Sequence, residues 1–349
     1  MKTRSNVEAQ IASKLFILFL LFFLIASTGC SKVNFAGKTA DDKPQISECG
    51  NSAQCAPITY RSVSETVRTS TTNAVDIIFV VDTSASMDRE RAALGQRLSS
   101  FLGGLQGLDW QVCLTTTDVG AVKGKMLLFG NGMKVLKSSV ANVGQVFLDT
   151  LVGLPSGSGD ERGVAALYSA VALNDTDCIR SGAALSAVIL SDEDERSTGG
   201  YQMFESNSQY RALEYKDYPA NLVTAVSDVF GRNKVFTSHS IVIKSSDVSC
   251  YNTQDKDSNV FYGTRYEELS GLTAGRIGNI CAADYGQQLG EMGGVVNASL
   301  ASVTLQCSPP EKPTVTGTTS SVSWSGNKLF FTPALPAGSS VGLSYRCKN

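Results

Sequence analysis

The sequence predicts an α/β protein in which a doubly wound, mainly parallel sheet carries helices on both faces and a small C-terminal β module follows. Three observations point there. From about residue 74 to about residue 301, short apolar runs rich in β-branched residues alternate with longer helical patterns, as in parallel strands joined by crossover helices. Two of those runs end in aspartate, Ile77-Ile78-Phe79-Val80-Val81-Asp82 and Ala187-Val188-Ile189-Leu190-Ser191-Asp192; open α/β sheets bind ligands beyond the carboxyl ends of their strands. From residue 302 the composition shifts to Val, Thr, Ser, Phe and Pro in short alternating runs, a half-buried strand pattern.

Strands are predicted over 76–81, 110–116, 125–129, 187–191 and 235–243. Helices are predicted over 89–105, 143–151, 161–172, 220–230 and 285–292, with a short one at 267–272. Continuous apolar runs in the strands match burial on both faces of a parallel sheet. In the C-terminal module the strand candidates are 303–306, 322–324, 329–332 and 341–345. Forty-odd residues are few for an independent core, so the alternative is a tail that packs on the main domain as extra strands.

The chain has 349 residues, a net charge of -2 and 42% hydrophobic content. That suffices for one sizeable domain and a small one, and the near-neutral balance offers no electrostatic footprint for nucleic acid. At the start, Lys2, Arg4 and Lys14 precede an apolar run from Leu15 to Ala26, then Ser27-Thr28-Gly29-Cys30. A membrane-spanning helix needs about twenty apolar residues, so residues 1–29 read as a secretory signal. Small residues before a cysteine resemble a bacterial lipobox. The resemblance implies diacylglycerol on the Cys30 thiol, cleavage before it and a lipid-anchored envelope protein; Ser31 at the next position favours the outer membrane. Ordinary signal cleavage near Gly29 is the alternative. Residues 30–73 mix Lys, Asp, Ser, Thr and Pro and read as a flexible tether.

Of nine cysteines, eight remain when Cys30 is set aside, and an even number in an exported chain implies disulfides. Proximity favours Cys49 with Cys55, Cys250 with Cys281, and Cys307 with Cys347. Cys113, inside a strand pattern, reads as a buried thiol, and Cys178 has no assigned partner. With one histidine and no Cys-x-x-Cys spacing, a thiolate–imidazole zinc site is not expected.

Asp82-Thr83-Ser84-Ala85-Ser86 places a carboxylate and two hydroxyls at alternate positions after a buried strand. These are hard oxygen donors that suit Mg²⁺, or Ca²⁺ or Mn²⁺, and leave positions open for a partner. The loop resembles the first element of the metal-ion-dependent adhesion site of the von Willebrand factor A (vWA) family, Asp-x-Ser-x-Ser after the first strand. That family's doubly wound, Rossmann-like fold agrees with the pattern above. The resemblance assigns Asp192 the last element, an aspartate that holds a metal-bound water. The middle element, a threonine before the third helix, has no counterpart in Ser156-Gly157-Ser158-Gly159-Asp160-Glu161-Arg162-Gly163; its position falls on Asp160 or Glu161. Bacterial exported members of the family carry such an acidic Gly-rich loop, with Thr-Thr-Asp and Ser-Asp-Glu loops, as here in Thr116-Thr117-Asp118 and Ser191-Asp192-Glu193. The metal set implied is Asp82, Ser84, Ser86, Asp160 and Asp192, with Thr116, Asp118 and Glu161 beside it. The acids Glu193 to Glu195 read as a solvated loop. The added acid predicts stronger metal retention and less affinity for an acidic ligand.

His239, the only histidine, sits in a strand pattern and reads as structural, and no Gly-x-Ser-x-Gly nucleophile turn is present. Asp255-x-Asp257-x-Asn259 lacks the glycine and the final glutamate of a calcium loop. The expected function is therefore non-enzymatic: an unidentified protein partner captured at a metal site at the cell envelope, with membrane attachment through the lipid anchor. The alternative is a metal-dependent hydrolase of the envelope.

Overall fold

The computed structural model describes residues 58–349 apart from 70–71, 158, 198–204, 207–208, 211, 257–259, 334 and 337. The signal segment, Cys30, Cys49 and Cys55, most of the tether, and Asp257 and Asn259 lie outside the described residues. In chain order the elements are β1 (Tyr60–Arg68), β2 (Ala74–Val81), α1 (Asp88–Gln96), α2 (Leu98–Gly103), β3 (Asp109–Thr116), β4 (Leu136–Lys137), α3 (Val143–Val152), α4 (Gly163–Leu173), β5 (Ala184–Leu190), the two-residue strands β6 (Glu205–Ser206) and β7 (Gln209–Tyr210), α5 (Pro219–Phe230), β8 (Phe236–Val242), α6 (Val248–Gln254), α7 (Thr264–Leu272), β9 (Ile277–Asn279) and α8 (Gly286–Leu300). The strands β10 (Val303–Thr304), β11 (Thr314–Thr316), β12 (Ser321–Ser325), β13 (Lys328–Thr332) and β14 (Ser340–Lys348) complete it.

The central sheet has the order β4-β3-β2-β5-β8-β9 and is parallel except for β4, which runs antiparallel to β3. Alternation along β2 divides the core. Ile77, Phe79 and Val81 join Leu94, Phe101, Phe147 and Leu289 on one face; Ile78 and Val80 join Val164, Leu167, Leu222 and Leu269 on the other. Both sets are fully buried, which is why these strands read as unbroken apolar runs. Each such side chain contributes about 1.5–3 kcal/mol by leaving water. Phe79 meets Phe101 and Phe147 edge-on, with ring centroids 5.6 Å and 4.9 Å away. The α/β class with a mostly parallel sheet and an antiparallel strand module is thus the observed one.

Several local expectations change. The helix expected over 89–105 breaks at Arg97, whose φ of -116° and ψ of 12° leave the helical region; its guanidinium reaches Asp284 before α8, with Nε 2.7 Å from Oδ1. Residues 125–129 form no strand. Leu127 N donates to Leu114 O, but the carbonyl of Lys125 accepts from the Thr115 hydroxyl instead of a backbone amide, and β4 takes the edge. The last helix of the domain runs to Leu300, past the expected 292.

The tether was expected to extend through residue 73, yet Tyr60–Arg68 is a strand. It pairs along its full length with β14, from Tyr60 opposite Lys348 to Arg68 opposite Ser340. Its side chains alternate, Val63 buried and Val67 half-buried between exposed neighbours, so one face meets the module core of Val303, Leu329, Phe331, Leu343 and Tyr345. That module consists of two three-stranded sheets, β1-β14-β11 and β10-β13-β12. The parallel domain is therefore inserted between the first strand of the module and the rest. Cys307–Cys347 and Cys250–Cys281 are bonded as expected. Cys113 is not a free thiol: it is bonded to Cys178, joining β3 to the turn before β5.

Candidate metal centre

Asp82 is the first residue past β2, its amide still in the ladder to Leu190 O at 2.9 Å. Its side chain is fully buried. Ser84 N donates to Oδ1 at 2.7 Å and the Ser191 hydroxyl donates to Oδ2 at 2.6 Å. Ser84 Oγ and Ser86 Oγ share a hydrogen bond of 3.0 Å. The alternate spacing of Asp, Ser and Ser thus does bring the two hydroxyls together beside the acid.

Asp192, one residue past Ser191, is fully buried, and neither carboxylate oxygen has a hydrogen-bond partner of ordinary geometry. Burial raises its pKa well above the usual carboxylate range, and the charges of Asp82, Glu193 and Glu90 raise it further, while Ser86 opposes them. The same forces act across the rim. Burial raises Asp82 against the hydrogen bonds from Ser191 and Ser84 and the positive charge of Arg91. Glu161 is pushed up to about 10, first by burial and then by the charge of Asp82. Asp192 and Glu161 therefore each lie within electrostatic reach of Asp82 at the carboxyl end of the sheet.

Of the two acids in the Gly-rich loop, Asp160 pairs with Arg196: its Oδ2 accepts from Arg196 Nη1 at 2.8 Å. Glu161 turns inward, accepts from the Thr117 hydroxyl through Oε2, and keeps Oε1 buried without a partner. The acid that feels the charge of Asp82 is thus Glu161, while Asp160, the other residue the sequence offered for this position, is paired with Arg196. Thr116 and Asp118 bond within their own loop, the Asp118 amide donating to Thr116 Oγ1 at 3.3 Å and Asp118 Oδ1 accepting from Ala121 N at 2.9 Å; the intervening Thr117 makes the contact to Glu161.

The solvated loop expected at Glu193 to Glu195 is also corrected, since all three are buried. Glu195 accepts from the amides of Val164 and Ala165, at 2.8 Å and 2.9 Å, at the start of α4. Asp194 accepts from the Arg265 amide at 2.9 Å and the Thr264 hydroxyl at 2.5 Å at the start of α7. Helix N-termini present unsatisfied N–H groups and a positive field, so these carboxylates are buried with partners.

Sequence reasoning missed Ser191 and Thr117 as the hydroxyls that orient Asp82 and Glu161, though both stood inside quoted motifs. It also missed Arg91, which is buried with Nε and Nη1 lacking partners. Among the described residues no three His, Cys, Asp or Glu side chains form a ready-made metal cage. The donor set is mixed, carboxylates with the Ser84 and Ser86 hydroxyls, and the partnerless oxygens of Asp192 and Glu161 are positions that a hard dication would satisfy. His239 is fully buried in β8, its Nδ1 accepting from the Arg276 amide at 3.0 Å.

No family model matches this sequence, and no curated protein matches it. Among solved structures, the pilus adhesin SpaC from Lactobacillus rhamnosus GG aligns at 14% identity with a TM-score of 0.42, covering 82% of this chain and 41% of that one. Proximal thread matrix protein 1 from the mussel byssus aligns at 12% identity and a TM-score of 0.35, covering 69% of this chain and 51% of that one. The human COPII-coat protein Sec24c aligns at 9% identity and a TM-score of 0.39, covering 79% of this chain and 39% of that one. The chain spans between 39% and 51% of the lengths of these three proteins.

Proposed function

We propose that this chain is a vWA-like binding protein of the bacterial cell envelope that holds a divalent cation at the rim of its parallel sheet and engages another protein there. Asp82, Ser84 and Ser86, with Glu161 and Asp192, are the residues that would hold Mg²⁺, or Ca²⁺ or Mn²⁺. One observation carries the reading: Asp192 is fully buried, with no hydrogen-bond partner of ordinary geometry on either oxygen and only the Ser86 hydroxyl nearby to offset the charge of Asp82. Two buried like charges are costly unless paired or bound to a metal. A dication supplies the neutralising charge and coordination positions beyond those of the protein. Ser191 and Thr117 fix the orientations of Asp82 and Glu161, so the donors are held by the fold before a cation arrives.

Export and lipid attachment at Cys30 rest on the charged start, the apolar run and the small residues before the cysteine. Among the described residues no helix is long and apolar enough to cross a membrane. Adhesion and envelope assembly both suit a metal-bearing rim on a lipid anchor. The test is capture from envelope extracts with and without EDTA, comparing wild type with Asp82→Ala. A partner retained by wild type only when the metal is present supports the reading. Turnover of phosphoester or peptide substrates with no retained partner replaces it with a metal-dependent hydrolase.

A further inference from the structure

We propose that the cleft beside the carboxylate cluster receives a peptide segment of the protein partner, in which a large apolar side chain stands next to a lysine or arginine. The inference rests on the reading above only in taking this rim as the protein-binding end.

The cleft measures about 440 Å³ and lies between the loop after β3 and the segment joining α3 to α4. That is within the range of pockets that hold a ligand group. Thr83, from the Asp82 loop, and Gly157 form part of its wall, so a partner seated over the cluster also meets the cleft. The two loops are tightly joined there. Gly157 N donates to Thr83 O at 2.8 Å, and a Cβ at position 157 would stand 2.2 Å from Thr83 Oγ1. Only glycine lets the wall close in this way.

Two properties select the occupant. Val122, Leu127, Leu128 and Leu154 line the cleft, and Leu128 is 62% exposed. An aliphatic or aromatic side chain entering there covers apolar surface now in water, at roughly 25 cal/mol per Å². The charged groups in the lining are Asp118 and Asp149, with no lysine, arginine or histidine. The charge of Asp118 reaches Glu161, so the cleft and the cluster form one acidic field. A basic residue beside the apolar anchor is attracted, and an acidic one is repelled.

Random twelve-residue peptides displayed on phage, selected against the mature chain in Mg²⁺, test this. The enriched peptides are expected to carry an aliphatic or aromatic residue within two positions of Lys or Arg. Leu128→Glu should weaken a selected peptide about tenfold, and Asp149→Lys should do the same while shifting a fresh selection toward acidic peptides; tenfold is about 1.4 kcal/mol. Neither residue is a proposed metal ligand, so both variants should still bind Mg²⁺ by calorimetry. No consensus, an acidic consensus, or peptide affinity unmoved by both substitutions overturns the cleft proposal. Enrichment that persists while wild type fails to bind Mg²⁺ upholds the cleft and removes only the cation.

Discussion

The Ser191 hydroxyl donates to Asp82 Oδ2 at 2.6 Å and so ties the first residue past β5 to the first residue past β2. With Ser84 N on the other oxygen, the Asp82 side chain is fixed from both sides. Asp192, the very next residue after Ser191, has neither restraint. The rim thus combines one carboxylate anchored through both oxygens with one that has only the Ser86 hydroxyl near it, and this asymmetry makes separable predictions for the two.

Replacing Asp192 by Asn removes a group whose ionisation is opposed by burial and by Asp82, Glu193 and Glu90. In EDTA at neutral pH the variant should be more stable than wild type, because a group with a raised folded-state pKa costs stability once pH exceeds its unfolded value. The rise in melting temperature that Mg²⁺ gives wild type should disappear. Thermal melts of both proteins with EDTA and with Mg²⁺ check both halves. A variant that is destabilised in EDTA contradicts the electrostatic account.

Glu195→Ala should act in the opposite direction. Its two oxygens accept from Val164 N and Ala165 N inside the protein, and the substitution leaves those buried amides without acceptors at the start of α4. Burial and the nearby charge of Asp217 raise the Glu195 pKa, so the loss is that of two acceptors for buried amides, about 1–3 kcal/mol, read by urea denaturation. Glu195→Gln retains one acceptor oxygen and should recover part of the loss.

What the sequence made legible follows from burial. Strands covered on both faces are rich in apolar residues, so β2 and β5 stand out most clearly, and the aspartates that follow them mark the rim that carries the proposed site. β1 was hidden because its inner face alternates apolar Val63 and Val67 with charged Glu65, whose carboxylate meets Tyr345, and because its partner β14 lies at the far end of the chain. Glu193 to Glu195 looked solvated because acid composition reveals nothing of the helix amides that receive two of them. Asp160 and Glu161 are adjacent and chemically alike; Arg196, which pairs with Asp160, lies 36 residues away and has no signature in the loop itself.

The Cys113–Cys178 bond makes a prediction that the buried-thiol reading does not. It spans 65 residues, and in the chain-entropy account a loop of that length restrains the unfolded chain by about 4 kcal/mol. The double substitution Cys113→Ala, Cys178→Ala should lower unfolding free energy by about that amount. Mass spectrometry of a non-reduced digest should show the cross-linked peptides. Alkylation of Cys113 in the denatured, non-reduced chain would contradict the bond.

Lys328 carries a pH dependence of known sign. It is fully buried, its Nζ donates to Thr304 Oγ1 at 3.0 Å, and burial lowers its pKa to about 7. In the unfolded chain the ammonium titrates near its ordinary value of about 10.4. Between those values the unfolded state binds more protons than the folded one, so this residue's contribution to stability rises with pH from about 7 to about 10.4 and is lost as pH falls through about 7. Lys328→Met removes the titrating group and fills the same space in the module core. The stability gap between variant and wild type should therefore be widest, in the variant's favour, at pH 6 and should shrink steadily toward pH 10, as followed by urea denaturation across that range. A gap that stays constant would mean the amine keeps its charge in the folded protein.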